Sequence, residues 1–253
     1  MSLTLLRPVP RDPSRLATQQ RPWRRSALYG RQVILGATFT DLAGWQVADA
    51  FRGRDEEVAA ARAGVGLVDL SPHGKLRLIG RDLATRLTAP SSGWDLPPPG
   101  QLRQVSPSDG WLDASWLLGL LADEYLLLTE PDAVATTAAR LIDALGTEAN
   151  CAHVSDLTSS LVMIGLVGPH SREVLRQVTS LDVRPWRFPD RSCRQGSLAQ
   201  VPGIVVRSDR GDLPAFRLLT TRAYGAYLWD ALVERGHGLD MTPLGRQAWL
   251  ALD

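Results

Sequence analysis

SSLVMIGLVGPHSREVLRQV, residues 159–178, decides how the chain is read. It opens on an apolar, partly β-branched run that stops at Gly168-Pro169, and a glycine followed by proline punctuates a chain rather than continuing an element. Beyond it, Val174, Leu175 and Val178 share the spacing of one helical face, with the polar Arg176 and Gln177 between them. The stretch therefore reads strand, glycine turn, helix. HGKLRLIGRDLATRL (73–87) has the same order, an alternating strand, a turn at Gly80 and a helix opened by Asp82, so Gly168 answers Gly80 at a separation of 88 residues. AFRLLTTRAYGAYLWDALVERG (215–236) is again strand then helix. Here Phe216 answers Tyr125 at 91 residues, and Trp229-Asp230-Ala231-Leu232 answers Ile142-Asp143-Ala144-Leu145 at 87. Offsets this close point to two copies of one α+β unit. Each copy needs one sheet face covered by helices and the other packed elsewhere. The expected architecture is a pseudo-symmetric pair of ferredoxin-like α/β units with a cleft near their axis.

The remaining segments fit around this repeat. EEVAAARAGVGLVDLS (56–71) begins as an Ala-rich helix and stops at Gly64 and Gly66, where a residue free in φ ends helices. SSGWDLPPPGQL (91–102) is a loop by its glycines and prolines. WLDASWLLGLLADEYLLLTE (111–130) predicts a β-hairpin turning at Ala-Asp-Glu, and PDAVATTAARLIDALG (131–146) a helix with Pro131 and Asp132 in its first turn and Gly146 as its stop.

With 253 residues and 44% hydrophobic composition, the chain can bury a substantial core. Its 28 basic and 27 acidic residues leave a net charge of +1, so no global field draws in nucleic acid or anionic lipid, and any binding site must be local. Lys75 is the only lysine and reads as the start of a strand, which argues against Schiff-base or P-loop chemistry. Cys151 and Cys193 lie far apart without histidines at ligand spacing, so reduced, partly buried thiols are expected and no metal site. His73, His153, His170 and His237 are scattered and read as exposed or capping residues; Trp94, Trp186, Trp229 and Trp249 read as core anchors. Residues 1–25 form an Arg/Pro-rich tail whose prolines interrupt any amphipathic helix. The opening residues lack the apolar core of a secretory signal, no run is long enough to span a bilayer, and a cytoplasmic location is the expectation.

LYGRQVILGATFTDLAGW (28–45) followed by AAARAGVGLVDLSPHGKLRLIG resembles the aminomethyltransferase (T-protein) family of the glycine cleavage system. The second half, from VSDLTSSLVMIGLVGPHSREVL through RFPDRSCRQGSLAQVPGIVV, looks more like the gamma subunit of heterotetrameric sarcosine oxidase, a relative of the same fold. The resemblance implies a folate-binding-fold domain over residues 26–253, with halves at about 26–146 and 147–253 and without the family's carboxyl-terminal β-barrel. It also implies a central tetrahydrofolate pocket and a place in one-carbon or N-methyl amine metabolism. The RSCRQGS stretch around Cys193 lacks the lysine and the aromatic of relatives tied to iron–sulfur maintenance.

Carried over residue by residue, the resemblance puts Asp113, Glu130, Arg207, Arg210, Phe216, Arg217 and Gln247 at the family's pocket positions, most of them substituted. DGWLDA supplies Asp113 for the first acid of the family's paired carboxylates, but Ala114 stands for the second. Glu130-Pro131 replaces an Asn-Ala step; Arg210 replaces a Tyr, Arg217 a Glu, and Gln247 an Arg. Arg217 matters most: a pterin offers donors to the protein, and a guanidinium has donors only. Asp113 itself has two readings, a general base or iminium-steadying carboxylate flanked by Trp111 and Trp116, or an Asp closing a glycine turn on its own backbone. Two functions follow as expectations: a non-catalytic subunit or binding module docked on a larger flavoprotein or one-carbon enzyme, or a tetrahydrofolate-dependent aminomethyltransferase.

Overall fold

The computed structural model describes residues 24–83, 96–105, 115–145 and 152–252. The tail ahead of Arg24, most of the helix expected after Asp82, Asp113 and Cys151 lie outside the described residues.

A small sheet opens the chain. β1 (Arg24–Arg25), β2 (Thr38–Leu42) and β3 (Trp45–Ala50) pair in the order β1-β3-β2, with α1 (Tyr29–Ile34) between the first two. Next come α2 (Arg54–Ala63), β4 (Val65–Asp69), β5 (Gly74–Gly80), β6 (Leu102–Val105), β7 (Ser115–Leu121), β8 (Glu124–Thr129) and α3 (Val134–Leu145). The second run is β9 (Ala152–Asp156), β10 (Leu161–Val167), α4 (Ser171–Val178), β11 (Ser192–Leu198), β12 (Val201–Arg207), β13 (Ala215–Thr221) and α5 (Gly225–Gly236). β14 (Met241–Leu244) and α6 (Arg246–Leu250) follow.

The repeat read from the sequence is present as two sheets of matching order. One runs β6-β7-β8-β5-β9 and the other β11-β12-β13-β10-β4-β14. The opening strand of each repeat is exchanged: β4 pairs with β10 and β9 with β5, both antiparallel, so each sheet contains one strand from the other copy. β14 adds itself in parallel to β4 at the edge.

The layers follow from the alternation of side chains. α3 covers the outer face of the five-stranded sheet, where Leu76, Leu78, Leu117 and Leu127 meet Leu141 and Leu145. α4 and α5 cover the outer face of the six-stranded sheet, burying Val174, Leu175, Leu228 and Trp229 against Ile164, Leu166, Phe216 and Leu218. The two inner faces pack on each other through Leu118, Leu126, Leu128, Met163, Val206 and Leu219, with α6 contributing Trp249 to the same cluster. Each fully buried side chain of this kind is worth about 1.5–3 kcal/mol, which is how both faces of both sheets come to be covered.

Two glycines hold the joints for different reasons. Gly168 adopts φ +120°, and a Cβ there would stand 2.3 Å from the Ala61 carbonyl oxygen, so strand and helix can join only through glycine. Gly64, expected to end α2 through its free φ, sits at φ −134° instead. A Cβ at Gly64 would meet the Asp240 carbonyl oxygen at 2.6 Å, so close packing, not backbone handedness, selects glycine there. Trp186 also departs from expectation: it is 70% exposed, whereas Trp229 and Trp249 are buried.

Candidate functional site

A cavity of about 270 Å³ opens between the two sheets, lined by residues from both repeats. β13 supplies Arg217, because its inward residues Ala215, Arg217 and Leu219 alternate with Phe216 and Leu218, which face the helices. Arg210 comes from the turn before it, where Arg210 and Leu213 exchange backbone hydrogen bonds of 3.0 and 2.9 Å across Gly211 at φ +57°. β7 contributes Trp116 and α6 contributes Trp249.

The two guanidinium groups lie on aromatic faces. Arg210 is 4.0 Å from the centroid of Trp249, and Arg217 lies 5.8 Å from both Trp116 and Trp249. Planar guanidinium stacks well on indole, and in a half-closed site such contacts are worth about 1–2 kcal/mol. Arg217 Nη1 also donates to Ser208 Oγ. Ser208 thus accepts from a cation here, which is not the setting of a hydroxyl nucleophile deprotonated by a base.

His73 was expected to be exposed or capping, and instead lines the cavity. Its Nδ1 lies 3.2 Å from the Leu70 carbonyl oxygen, so Nδ1 carries the proton and Nε2 presents a bare lone pair. Burial, with the charges of Arg217, Lys75 and Arg210 adding to it, pushes the ring down to about 3, so it is neutral. Its contact with Glu130 Oε2 at 3.7 Å is therefore not an ion pair. Glu130 stands at the rim with its side chain 59% exposed; the apolar wall and Asp132 raise its carboxyl above the usual range against the opposing arginines. Asp209, the other acid of the lining, is held by Arg207 Nε and Nη2 at 3.0 and 2.7 Å.

Of the residues singled out in the sequence, Glu130, Arg210 and Arg217 come together in this cavity. Arg207 faces away into its pair with Asp209 and the Phe188 carbonyl oxygen at 2.7 Å. Phe216 is fully buried on the helix side, stacked on Phe188. Gln247 lies on the exposed side of α6, where Nε2 donates to Asp49 Oδ2 at 2.5 Å. Asp113 is outside the described residues. His73, Ser208 and Trp249 were not read as pocket residues, and Trp116 only as a flank of Asp113.

Among the described residues no three His, Cys, Asp or Glu side chains gather as a metal site, and no helix is long and apolar enough to cross a membrane. Cys193 is a buried free thiol, pushed up to about 12 by that burial.

Comparison with known proteins places this architecture. The chain is 29% identical over 228 residues to an aminomethyltransferase of Streptomyces coelicolor, covering 88% of this chain and 60% of that protein. It therefore spans less than two thirds of the relative's length. The glycine cleavage system aminomethyltransferase T of Bartonella henselae superposes with a TM-score of 0.74 at 20% identity, over 89% of this chain and 60% of that one. A chain of the heterotetrameric sarcosine oxidase of Corynebacterium sp. U-96 superposes with a TM-score of 0.63 at 22% identity, over 87% of this chain and 97% of its own length. The family model described as the GCVT N-terminal domain matches residues 28–252, and the chain belongs to that family.

Proposed function

We propose that the protein is a non-catalytic binding subunit of the aminomethyltransferase type, working docked on a larger flavoprotein of N-methyl amine oxidation or on another one-carbon enzyme. The observation that carries this is the character of the cavity wall: Arg210 over the face of Trp249 and Arg217 near the same ring, facing a neutral His73. A reduced pterin presents an amino group and ring N–H donors, which one carboxylate can accept together. Among the described lining residues the carboxylates are Glu130, at the rim, and Asp209, already bonded by Arg207. Guanidinium groups have no acceptor to offer and neutral His73 offers a single lone pair, where the pterin edge presents several donors, so these residues do not fit tetrahydrofolate in a ring-first pose. The likeness to a whole chain of a heterotetrameric oxidase supports the subunit reading.

Recovery of the tagged protein from its native source under mild salt should bring down a larger subunit with flavin absorbance, and calorimetric titration with tetrahydrofolate should give no heat. A solitary monomer in the first experiment contradicts the reading. Binding of tetrahydrofolate that is abolished by Asp113→Ala replaces it with the transferase.

A further inference from the structure

Between α4 and β11 the chain makes a loop, TSLDVRPWRFPDR (179–191), that is anchored at both ends of its turn. Val183 and Phe188 are buried, while Trp186 between them is 70% exposed. The loop does not need the indole to hold its shape. Arg172 Nη1 donates to the Val183 carbonyl, Arg194 Nη2 to the Arg187 carbonyl at 2.8 Å, and Arg207 Nη1 to the Phe188 carbonyl at 2.7 Å. Ser192 Oγ donates to the Pro189 carbonyl at 2.6 Å, and Phe188 N–H closes the turn on the Arg184 carbonyl at 2.8 Å. Guanidinium groups from α4, β11 and β12 thus occupy the loop's carbonyls, and Pro185 and Pro189 stiffen what lies between.

Trp186 is held in place as well as displayed. Arg184 lies 5.2 Å from its ring centroid and is itself fixed by bonds of 2.8 and 2.5 Å to Asp182. An open groove of about 750 Å³, lined by Pro169, Leu181, Val183 and Pro185 among others, runs beside it, yet the ring stays out of that groove. The charge around it is one-sided: residues 172–194 carry six arginines against three acids, in a chain whose total is +1.

We infer that this loop is a docking face for an acidic protein surface, with Trp186 as the anchor that enters an apolar notch and the surrounding arginines meeting Asp and Glu at its rim. The inference rests on the subunit reading above and names the face by which the partner is held. Tryptophan and arginine are the side chains most enriched where interface energy concentrates, and a preordered loop loses little entropy on binding. Nucleic acid fits less well. A single indole is not a stacking row, and Asp182 and Asp190 stand among the arginines where phosphates would lie.

The test uses a short fluorescein-labelled peptide of glutamates flanking one Leu-Phe pair, with a lysine counterpart and oligouridylate as comparison probes, all read by anisotropy on the full chain. The glutamate peptide should bind, weaken with added salt, and lose at least about tenfold in affinity in Trp186→Ala and in Arg187→Glu. Both variants should melt at the wild-type temperature, since both side chains are exposed. No binding of the glutamate peptide, or equal binding by Trp186→Ala, overturns the inference; Trp186-dependent binding of oligouridylate in its place makes this a nucleic-acid face. If a flavoprotein co-purifies equally with wild type and Trp186→Ala, the face is wrong and the subunit reading stands. If none co-purifies but the peptide binds through Trp186, the subunit reading falls and the face stands.

Discussion

Replacing Glu57 by alanine should cost about 4 kcal/mol of folding stability, although the change removes only one methylene of apolar packing, because it strands backbone donors away from water. Glu57 on α2 is fully buried. Its Oε1 accepts from the backbone N–H groups of Phe51, Arg52 and Gly53 at 2.6, 2.9 and 3.2 Å, and its Oε2 from Gly245 N–H at 2.7 Å. One carboxylate thus ties the end of β3 and the start of α2 to the start of α6, the helix that carries Trp249 into the cavity wall. Arg52 is exposed, and its N–H can turn to water. Gly245 is buried, so its N–H has no bulk water to turn to. Counting the Gly245 and Phe51 donors as stranded, at about 1–3 kcal/mol each, gives the figure above. For a chain of this size it corresponds to a fall in melting temperature of about 8–16 °C. Urea unfolding followed by tryptophan fluorescence measures it directly, and near-ultraviolet circular dichroism should register the displaced Trp249. Glu57→Gln keeps one acceptor oxygen and should lose roughly half as much. An alanine variant within about 1 kcal/mol of wild type would refute the accounting, since it would mean the four donors find other acceptors at little cost.

Three further outcomes follow. Burial lowers Lys75 from 10.5 to about 7, with Asp69 and Asp156 opposing the shift, so the unfolded chain holds the proton across a window in which the fold has released it. Stability should therefore rise with pH between about 7 and 10.5, and Lys75→Met should flatten that rise in urea titrations run at a series of pH values. His73 is held neutral down to about 3 against an ordinary value of 6.5, so its contribution is complete above 6.5 and is lost as the pH falls toward 3. His73→Gln should be less acid-sensitive than wild type over that interval when melting is followed by calorimetry. Gly168→Ala brings a Cβ to 2.3 and 2.5 Å from two carbonyl oxygens at φ +120°. It should destabilise by more than about 3 kcal/mol in thermal melts, where Gly211→Ala, with open space around it, should cost much less.

What the sequence made legible was local order and, through its recurrence, the two-unit fold. The strand-glycine-helix order, the β7–β8 hairpin turning after Leu121 and the α3 helix follow from side-chain period and turn residues within short windows. The same period could have said more about the site. Phe216 and Arg217 are neighbours on one strand, so only one of them can face a given cavity, and the outward apolar neighbours assign Phe216 to the helix side. Glu57 carried no signal, because a glutamate in an Ala-rich helix normally faces water, and its four donors come from segments that only the tertiary fold brings together. Trp186 was misread because tryptophan is usually buried; in this loop Phe188 and Val183 already supply the anchors.

The exchange of β4 and β9 was beyond reach for a different reason. A strand's pattern records which of its faces are buried, not which sheet edge it joins. Yet the exchange accounts for two features that otherwise stand apart. The chain must cross from one sheet to the other twice, between β4 and β5 and again between β9 and β10, and these crossings run side by side. Lys75 sits where they meet: its N–H donates to Thr158 Oγ1 at 3.1 Å, and its Nζ to the carbonyls of Ser71, His73 and Thr158 at 2.7, 2.8 and 3.4 Å. Leu157 N–H returns to the Lys75 carbonyl at 2.8 Å, and Ser71 Oγ accepts from Met163 N–H at 3.2 Å. The only lysine of the chain is thus spent on satisfying carbonyls that the two crossings leave between the sheets, which gives a structural cause for burying it. The same crossing carries His73 into the cavity, so the strand exchange that locks the two repeats together also furnishes part of the pocket wall between them.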